Sequence, residues 1–308
     1  MIKRTLYFGK PVYLSTSKKQ LVANFKEHGI QTIPIEDIAY IIIDHVEISL
    51  SHTLISKLLN HNVALITTNE QHHPQGMMLN LDSHTVQHER SQAQLNASVP
   101  LKKQLWQQTI QAKVENQGRV LQTLGIDAGL FFTLSKDVKS GDSTNIEAQA
   151  ANAYWKLLFN AFYSDFRRGR HEIPPNNALN YGYAILRAIV ARALVGSGLF
   201  PLFGIHHHNR YNAYPLADDI MEPYRPYVDS CVYELIDIGY DLTVLTPDIK
   251  KELLTLPTMD VSINRKKRPL MIAVQTTTNS LAECFKKVRK KIKYPVFEAS
   301  EIQELPRF

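Results

Sequence analysis

The chain has 308 residues, of which 44% are hydrophobic and 21% charged, with 13 glycines and 15 prolines. That is enough apolar material for a buried core and excludes a disordered or collagen-like chain, and the length suits two domains at roughly 100–200 residues each. The formal net charge of +6 is unevenly placed: residues 265–308 carry eleven Lys and Arg against four Asp and Glu, whereas the rest of the chain is nearly balanced.

The first eighty residues read as short β segments with turn punctuation. Thr5–Phe8, a Gly9-Lys10-Pro11 turn and Val12–Leu14 open the chain, followed by Thr32–Ile35, Ile38–Ile43 and Val63–Thr67, all short and rich in β-branched residues. A helix from Ser51 to Leu59, opened by a Ser cap, interrupts them. From Asp82 to Pro100 the chain turns polar, and beyond it the apolar period changes from about 2 to about 3.6. A boundary near residue 90 therefore separates a β-rich part, 1–90, from a helical part, 91–308. The fold class is α+β, a small N-terminal β-rich domain followed by an all-α domain.

Helices are expected over 102–122, 143–163, 177–196, 217–238, 247–254 and 278–291. The third has apolar residues on nearly every side (Leu179, Tyr183, Leu186, Val190, Leu194) and reads as a central core helix. The longer apolar runs are cut by Asp44, His45, Arg187 or Arg192 before the ~18 residues of a membrane span, and no apolar stretch follows the basic residues of the first ten. Cys231 and Cys284 lie far apart with no CxxC spacing, so neither a disulfide framework nor structural zinc is encoded. A reducing cytoplasm and no membrane are expected.

Three basic clusters stand out: Arg167, Arg168 and Arg170; Arg265, Lys266, Lys267 and Arg268; and the run from Lys286 to Lys293. Such clusters attract polyanions through counterion release, although a solvated face has the same composition.

Three segments carry candidate chemistry. Glu147 lies in the first turns of a helix that Asp142, Ser143 or Thr144 can cap, on a stripe with Ala151, Tyr154 and Leu158, where an unpaired charge is costly; a plain helix-dipole role is the alternative. His206, His207 and His208 follow Gly204-Ile205, and three consecutive histidines cannot all face one way. In Ala217–Pro226, helical spacing puts Asp218, Asp219 and Glu222 on one face, which calls for a cation or for neutralisation by Arg225. Two or three carboxylates with an imidazole form an oxygen and nitrogen site suited to Mg²⁺ or Mn²⁺. Beside basic clusters, such a metal would act on a phosphodiester.

Gly204-Ile-His-His207, Leu216–Pro226, Asn177–Arg187 and Ile146-Glu147-Ala148, together with the Phe8-Gly-Lys-Pro-Val-Tyr-Leu14 opening, resemble the integrase-endonuclease of CRISPR adaptation, the subunit that inserts new spacers. The resemblance runs over most of the chain and is nearest to the form beside single-effector (type II) systems. It implies a β domain used for homodimerisation and a helical catalytic domain with a divalent metal. A small ferredoxin-like partner subunit would bridge two dimers, with further effector subunits beyond it. Carried over by motif, the metal ligands and catalytic residues are Glu147, His207 and Glu222, with His206 and Asp219 as neighbouring or alternative ligands. The implied reaction is attack by the 3′-hydroxyl of a short double-stranded DNA on a phosphodiester at the edge of a repeat. Arg167, Arg168, Arg170, Arg225 and the Arg265–Arg268 run would hold phosphates, and His208, Tyr211 or Tyr224 would orient a terminal base unless the tyrosines are core. The competing readings are a general metal-dependent or branched-DNA nuclease, with water as nucleophile, and a catalytically silent DNA-binding scaffold. No Gly-rich phosphate loop, nucleophile elbow or dinucleotide fingerprint is present.

Overall fold

The structure, a computed structural model, describes residues 3–26, 29–82, 84–163, 166–169 and 174–298. Strands β1 (Arg4–Phe8), β2 (Val12–Ser17), β3 (Gln20–Phe25), β4 (Gly29–Pro34), β5 (Ile38–Ile43) and β6 (Ile48–Leu50) precede helix α1 (His52–Asn60), and β7 (Ala64–Thr68) and β8 (Pro74–Met78) follow it. They form two four-stranded sheets, ordered β1-β5-β7-β8 and β4-β3-β2-β6. Ser51 caps α1 as expected, accepting from the Leu54 amide.

Three of these strands, β3, β6 and β8, were not legible in advance. β2 turns into β3 through Lys18 and Lys19, both with positive φ (46° and 64°), the left-handed pair that a two-residue hairpin loop demands and that Asn-Gly usually supplies. Two lysines carry no such signature. β8 contains Pro74 and Gly76, which is tolerated because it lies at the sheet edge, antiparallel to β7.

β5 pairs in parallel with β1 on one side and β7 on the other. Its continuous apolar run is buried on both faces, the pattern of a strand with no solvent side. Ile38 and Ile41 face one core with Leu14, Leu21, Leu54 and Leu65. Tyr40 and Ile42 face a second core shared with the helices.

The helical part comprises α2 (Gln87–Leu95), α3 (Val99–Thr123), α4 (Gly129–Asp137), α5 (Ile146–Leu158), α6 (Asn176–Gly196), α7 (Pro215–Met221), α8 (Arg225–Asp237), α9 (Pro247–Leu253) and α10 (Leu270–Phe285). α2 lies in the polar stretch read as a connection. It docks through buried polar groups: Gln94 Nε2 donates to the carbonyls of Phe200 (2.9 Å) and Phe203 (3.0 Å), and Ser91 Oγ to that of Gly198. Hydrophobic periodicity cannot register such contacts. α6 is the core helix anticipated. It is long and apolar enough to cross a membrane by composition, but 72% of its apolar window is buried inside the fold. Gly182 lets it approach α8, since a Cβ there would lie 2.5 Å from Val228.

The expected helix 217–238 is split by a 3-10 turn, Glu222–Tyr224, where Pro223 and Pro226 interrupt the α-helical ladder. The helix expected over 278–291 lies instead at Leu270–Phe285. Lys287, at φ 59°, turns the chain left-handed just beyond it, so the basic residues up to Lys293 continue as irregular chain. The part read as all-α also carries a small hairpin, β9 (Asp260–Ile263) and β10 (Lys266–Pro269), turned by Asn264 and Arg265, both at positive φ.

Candidate active site

α3, α5, the loop 204–208, α7 and the 3-10 turn converge on one site. α3 contributes a mostly apolar stripe in which Trp106, Ile110, Lys113, Gln117 and Val120 recur at helical spacing, all buried. Lys113 is the anomaly, a lysine 7% exposed. Its Nζ lies 2.6 Å from Glu147 Oε1 and 2.6 Å from Glu222 Oε2.

Glu147 is placed by its cap. Both oxygens of Asp142 accept backbone amides at the start of α5, from Ile146 (2.8 Å) and from Glu147 itself (3.0 Å). Glu222 opens the 3-10 turn, and that turn is tied to α3 by Asn116, whose side-chain amide donates to the Pro223 carbonyl at 2.8 Å. The second oxygen of Glu222 is held by Arg225, whose Nη1 donates at 2.8 Å. Burial pushes the Glu222 carboxyl upward, but the Arg225 guanidinium and the Lys113 ammonium outweigh it and hold the group down at about 2. Lys113 feels the reciprocal effect: burial lowers its pKa and the two carboxylates raise it further than that.

Asp219 is fully buried and organises the histidine loop. Its carboxylate accepts the backbone amides of Ile205 (2.6 Å), His206 (3.0 Å) and His207 (3.1 Å), and Oδ1 lies 2.6 Å from Nδ1 of the His207 ring. Gly204 makes the turn possible, since a Cβ there would meet the His207 carbonyl at 2.6 Å and Asp219 Oδ2 at 2.8 Å. The hydrogen bond that Asp219 accepts from the ring raises the His207 pKa against the effect of burial, and Glu222 and Glu147 act in the same direction. His206 stacks flat on Trp106 with centroids 4.1 Å apart, and burial lowers its pKa. The three histidines are thus sorted. His207 is oriented by Asp219, His206 is packed on an indole, and exposed His208 lines a cavity of about 310 Å³ with Lys102, Phe203 and Arg210.

Of the basic residues, Arg225, expected among the phosphate holders, is instead drawn to Glu222 and stacks 4.2 Å over the Tyr183 ring, the neutralisation that the sequence offered as the alternative to a bound cation. Arg168 turns into the fold, donating to Asn176 Oδ1 (2.9 Å) and Asn180 Oδ1 (2.7 Å). Arg167 is exposed, as is the whole Arg265–Arg268 run on its hairpin. Arg170 lies outside the described residues. Tyr224 is core, its hydroxyl 2.7 Å from Thr277, while Tyr211 is exposed. His72, exposed in the turn between β7 and β8, places Nδ1 2.7 Å from buried Asp44.

Among the described residues, no three His, Cys, Asp or Glu side chains stand close enough together to hold a metal as they are. Lys113 fills the gap between Glu147 and Glu222. The donor set nevertheless fits a hard divalent cation. Two carboxylates face one point, Oε2 of Glu222 is buried without an aligned hydrogen bond, and a neutral His207 donating from Nδ1 to Asp219 keeps Nε2 free as a ligand atom.

Lys113 and Trp106 are the site residues the sequence reading missed. A lysine and a tryptophan on the same otherwise apolar stripe were the available signal.

Residues 6–240 match the family described as CRISPR associated protein Cas1. The chain belongs to the Cas1 family. It is 38% identical over 300 residues to a CRISPR-associated endonuclease Cas1 of Neisseria meningitidis, an alignment covering 96% of each. In fold it is similar to a casposase solved bound to its integration product (TM-score 0.77, 23% identity, 95% of this chain and 92% of that one). It is likewise similar to a chain of a Cas6-RT-Cas1–Cas2 complex (TM-score 0.72, 17% identity, 94% of this chain and 35% of that one). The β-rich region followed by a helical region is the Cas1 arrangement.

Proposed function

We propose that this Cas1 protein is a metal-dependent DNA integrase and endonuclease that inserts short double-stranded DNA as new spacers into a CRISPR array, in the form found beside single-effector systems. The observation that carries the reading is the convergence of Glu147 and Glu222 on one cationic position, with Asp219 holding His207 beside them. Support comes also from the Neisseria relative, named an endonuclease, and from the casposase neighbour, solved with an integration product.

In the reaction, a 3′-hydroxyl gives up its proton and attacks the phosphorus of a target phosphodiester, one P–O bond forms as another breaks, and the leaving 3′-oxygen of the displaced strand takes up a proton, so that bonds and protons balance. Bond types are conserved, so no external energy source is needed, and positioning and electrostatics supply the rate. Glu147, His207 and Glu222 would hold Mg²⁺ or Mn²⁺, which when bound supplies Lewis-acid stabilisation of charge developing on the phosphoryl oxygens. Asp219 fixes the tautomer and orientation of His207. Arg225 keeps Glu222 ionised. Phosphates of the DNA are held by Arg167, Arg170 and the exposed hairpin run Arg265, Lys266, Lys267 and Arg268, contributing affinity more than sequence choice.

The β-rich part up to about residue 90 serves homodimerisation and the remainder catalysis. A small ferredoxin-like subunit bridges two dimers; the fold neighbour solved with Cas2 supports such an assembly. The protein works in the cytoplasm.

The test is a joining assay with a labelled short duplex, a repeat-containing target and Mn²⁺ or Mg²⁺, with and without the small subunit, beside Glu147→Ala, His207→Ala and Glu222→Ala. Longer labelled strands that vanish in the variants are expected. Shortened fragments alone would make the protein a nuclease, and DNA binding with no reaction under any metal would make it a scaffold.

A further inference from the structure

Resting on the metal-site reading above, we propose that Lys113 is a built-in counterion of the site: its ammonium holds Glu147 and Glu222 together when no divalent cation is bound, and metal and Lys113 compete for the same two oxygens. α3 carries this side chain to the site from an apolar stripe, leaving it 7% exposed, and both of its carboxylate contacts are 2.6 Å. Arg225 occupies the other oxygen of Glu222. Among the described residues, Glu147 has no cationic partner besides Lys113.

The contact with Glu222 Oε2 is a charge-to-charge approach without an aligned hydrogen bond. Two carboxylates facing one point repel each other, and with nothing between them they would splay. Lys113 removes that penalty in the metal-free protein. A hard divalent cation offers twice the charge to the same oxygens, and the long flexible lysine stem allows the ammonium to withdraw. The site is therefore preorganised before the metal arrives, and the same arrangement weakens metal affinity.

The proposal is tested on the full-length protein by titrating Mn²⁺ and following loss of the free-ion EPR signal, for the wild type, Lys113→Met and Lys113→Gln. The double variant Glu147→Gln/Glu222→Gln gives the baseline without a site. Both Lys113 variants are expected to bind the carboxylate-dependent ion at least about tenfold more tightly, because a buried unit charge at contact distance no longer competes. In EDTA they are expected to melt below the wild type, with the gap closing in saturating Mn²⁺. A second measurement needs no variant: reductive methylation of Lys113 in the wild type, read by mass spectrometry, is expected to rise severalfold when Mn²⁺ is added. Equal or weaker Mn²⁺ binding by folded Lys113 variants, or labelling that Mn²⁺ leaves unchanged, overturns the counterion role while the metal site stands. If the wild type binds no more Mn²⁺ than the double variant, the metal-site reading itself fails and the proposal fails with it.

Discussion

The carboxylate of Asp219 lies 2.6 Å from the Nδ1 of His207 and at the same time accepts the backbone amides of residues 205, 206 and 207. One buried acid therefore fixes both the path of the loop and the orientation of the ring it carries.

Asp219→Asn keeps the size of the side chain but removes the charge and offers an NH₂ group to donors that need an acceptor. Strand joining should fall roughly 10–100-fold, the usual cost of losing the group that orients a ligating histidine. DNA affinity, measured by fluorescence anisotropy, should stay within twofold. Asp219→Ala, which takes the acceptor from three backbone amides, that of Ile205 buried, should in addition cost roughly 3 kcal/mol or more in urea unfolding. Unchanged joining by Asp219→Asn would remove Asp219 from the mechanism.

A second buried acid joins the sheets to the helices. Asp44, 2% exposed, receives Tyr7 (2.5 Å), Thr68 (2.7 Å) and His72 from the β-rich part and Lys250 of α9 at 3.0 Å. Lys250→Met should cost about 3 kcal/mol, since it leaves a buried charge short of its cation. Adding Asp44→Asn should recover much of that loss, because removing both members of a buried pair costs less than removing one. A double variant as unstable as the sum of the singles would show that the two residues are not coupled.

Asp229 supplies a pH dependence. Burial pushes its carboxyl up to about 6, although the Tyr183 hydroxyl and the Arg225 and Arg168 guanidiniums pull the other way; the buried Tyr154 hydroxyl also faces it. The protonated form is thus favoured in the folded state. Its stabilising contribution is complete below the unfolded value near 3.8, is lost as pH rises towards 6, and is absent above that. Asp229→Asn, neutral at every pH, should therefore gain on the wild type between pH 4 and 6.5 by about 2–3 kcal/mol, one pKa unit being worth about 1.4 kcal/mol. Parallel melting-temperature curves for the two proteins would refute it.

The exposed hairpin predicts a salt effect. Arg265→Asn suits the left-handed turn position, where φ is 61°. Combined with Lys266→Gln, Lys267→Gln and Arg268→Gln, it should lower the slope of log affinity against log salt by up to about 3–4 for duplex DNA. Thermal stability should hold, because all four side chains are exposed. An unaltered slope would place the DNA elsewhere.

How far the sequence could be read follows from the kind of signal each element carries. Ile38–Ile43 and the central helix at 176–196 announce themselves by hydrophobic pattern and were legible. β3 was hidden by a turn made of two lysines, α2 by docking through Gln94 and Ser91, and the true position of α10 by a basic run that resembles a helix surface. Residue type and helical spacing could pick out the segments that hold Glu147, His206–His208 and Asp218–Glu222, and it was the family resemblance that singled out Glu147, His207 and Glu222 among them. Lys113 and Trp106 left only the trace of a charge on a mostly apolar stripe of α3, because the partners that give them meaning, Glu147, Glu222 and His206, lie on other elements. Arg225 illustrates the limit of charge counting: the residue is cationic, but its guanidinium faces Glu222 rather than solvent.

β5 is the wall common to both hydrophobic cores, with Ile41 on one side and Tyr40 and Ile42 on the other, and Arg192 of α6 lies over the Tyr40 ring at 5.2 Å. An amide on this strand can meet solvent only if the packing on both sides opens together. Its protons should therefore be among the last in the molecule to exchange with deuterium, at a rate set by global unfolding. A cavity cut on either side of the strand would shorten that lifetime equally in both compartments.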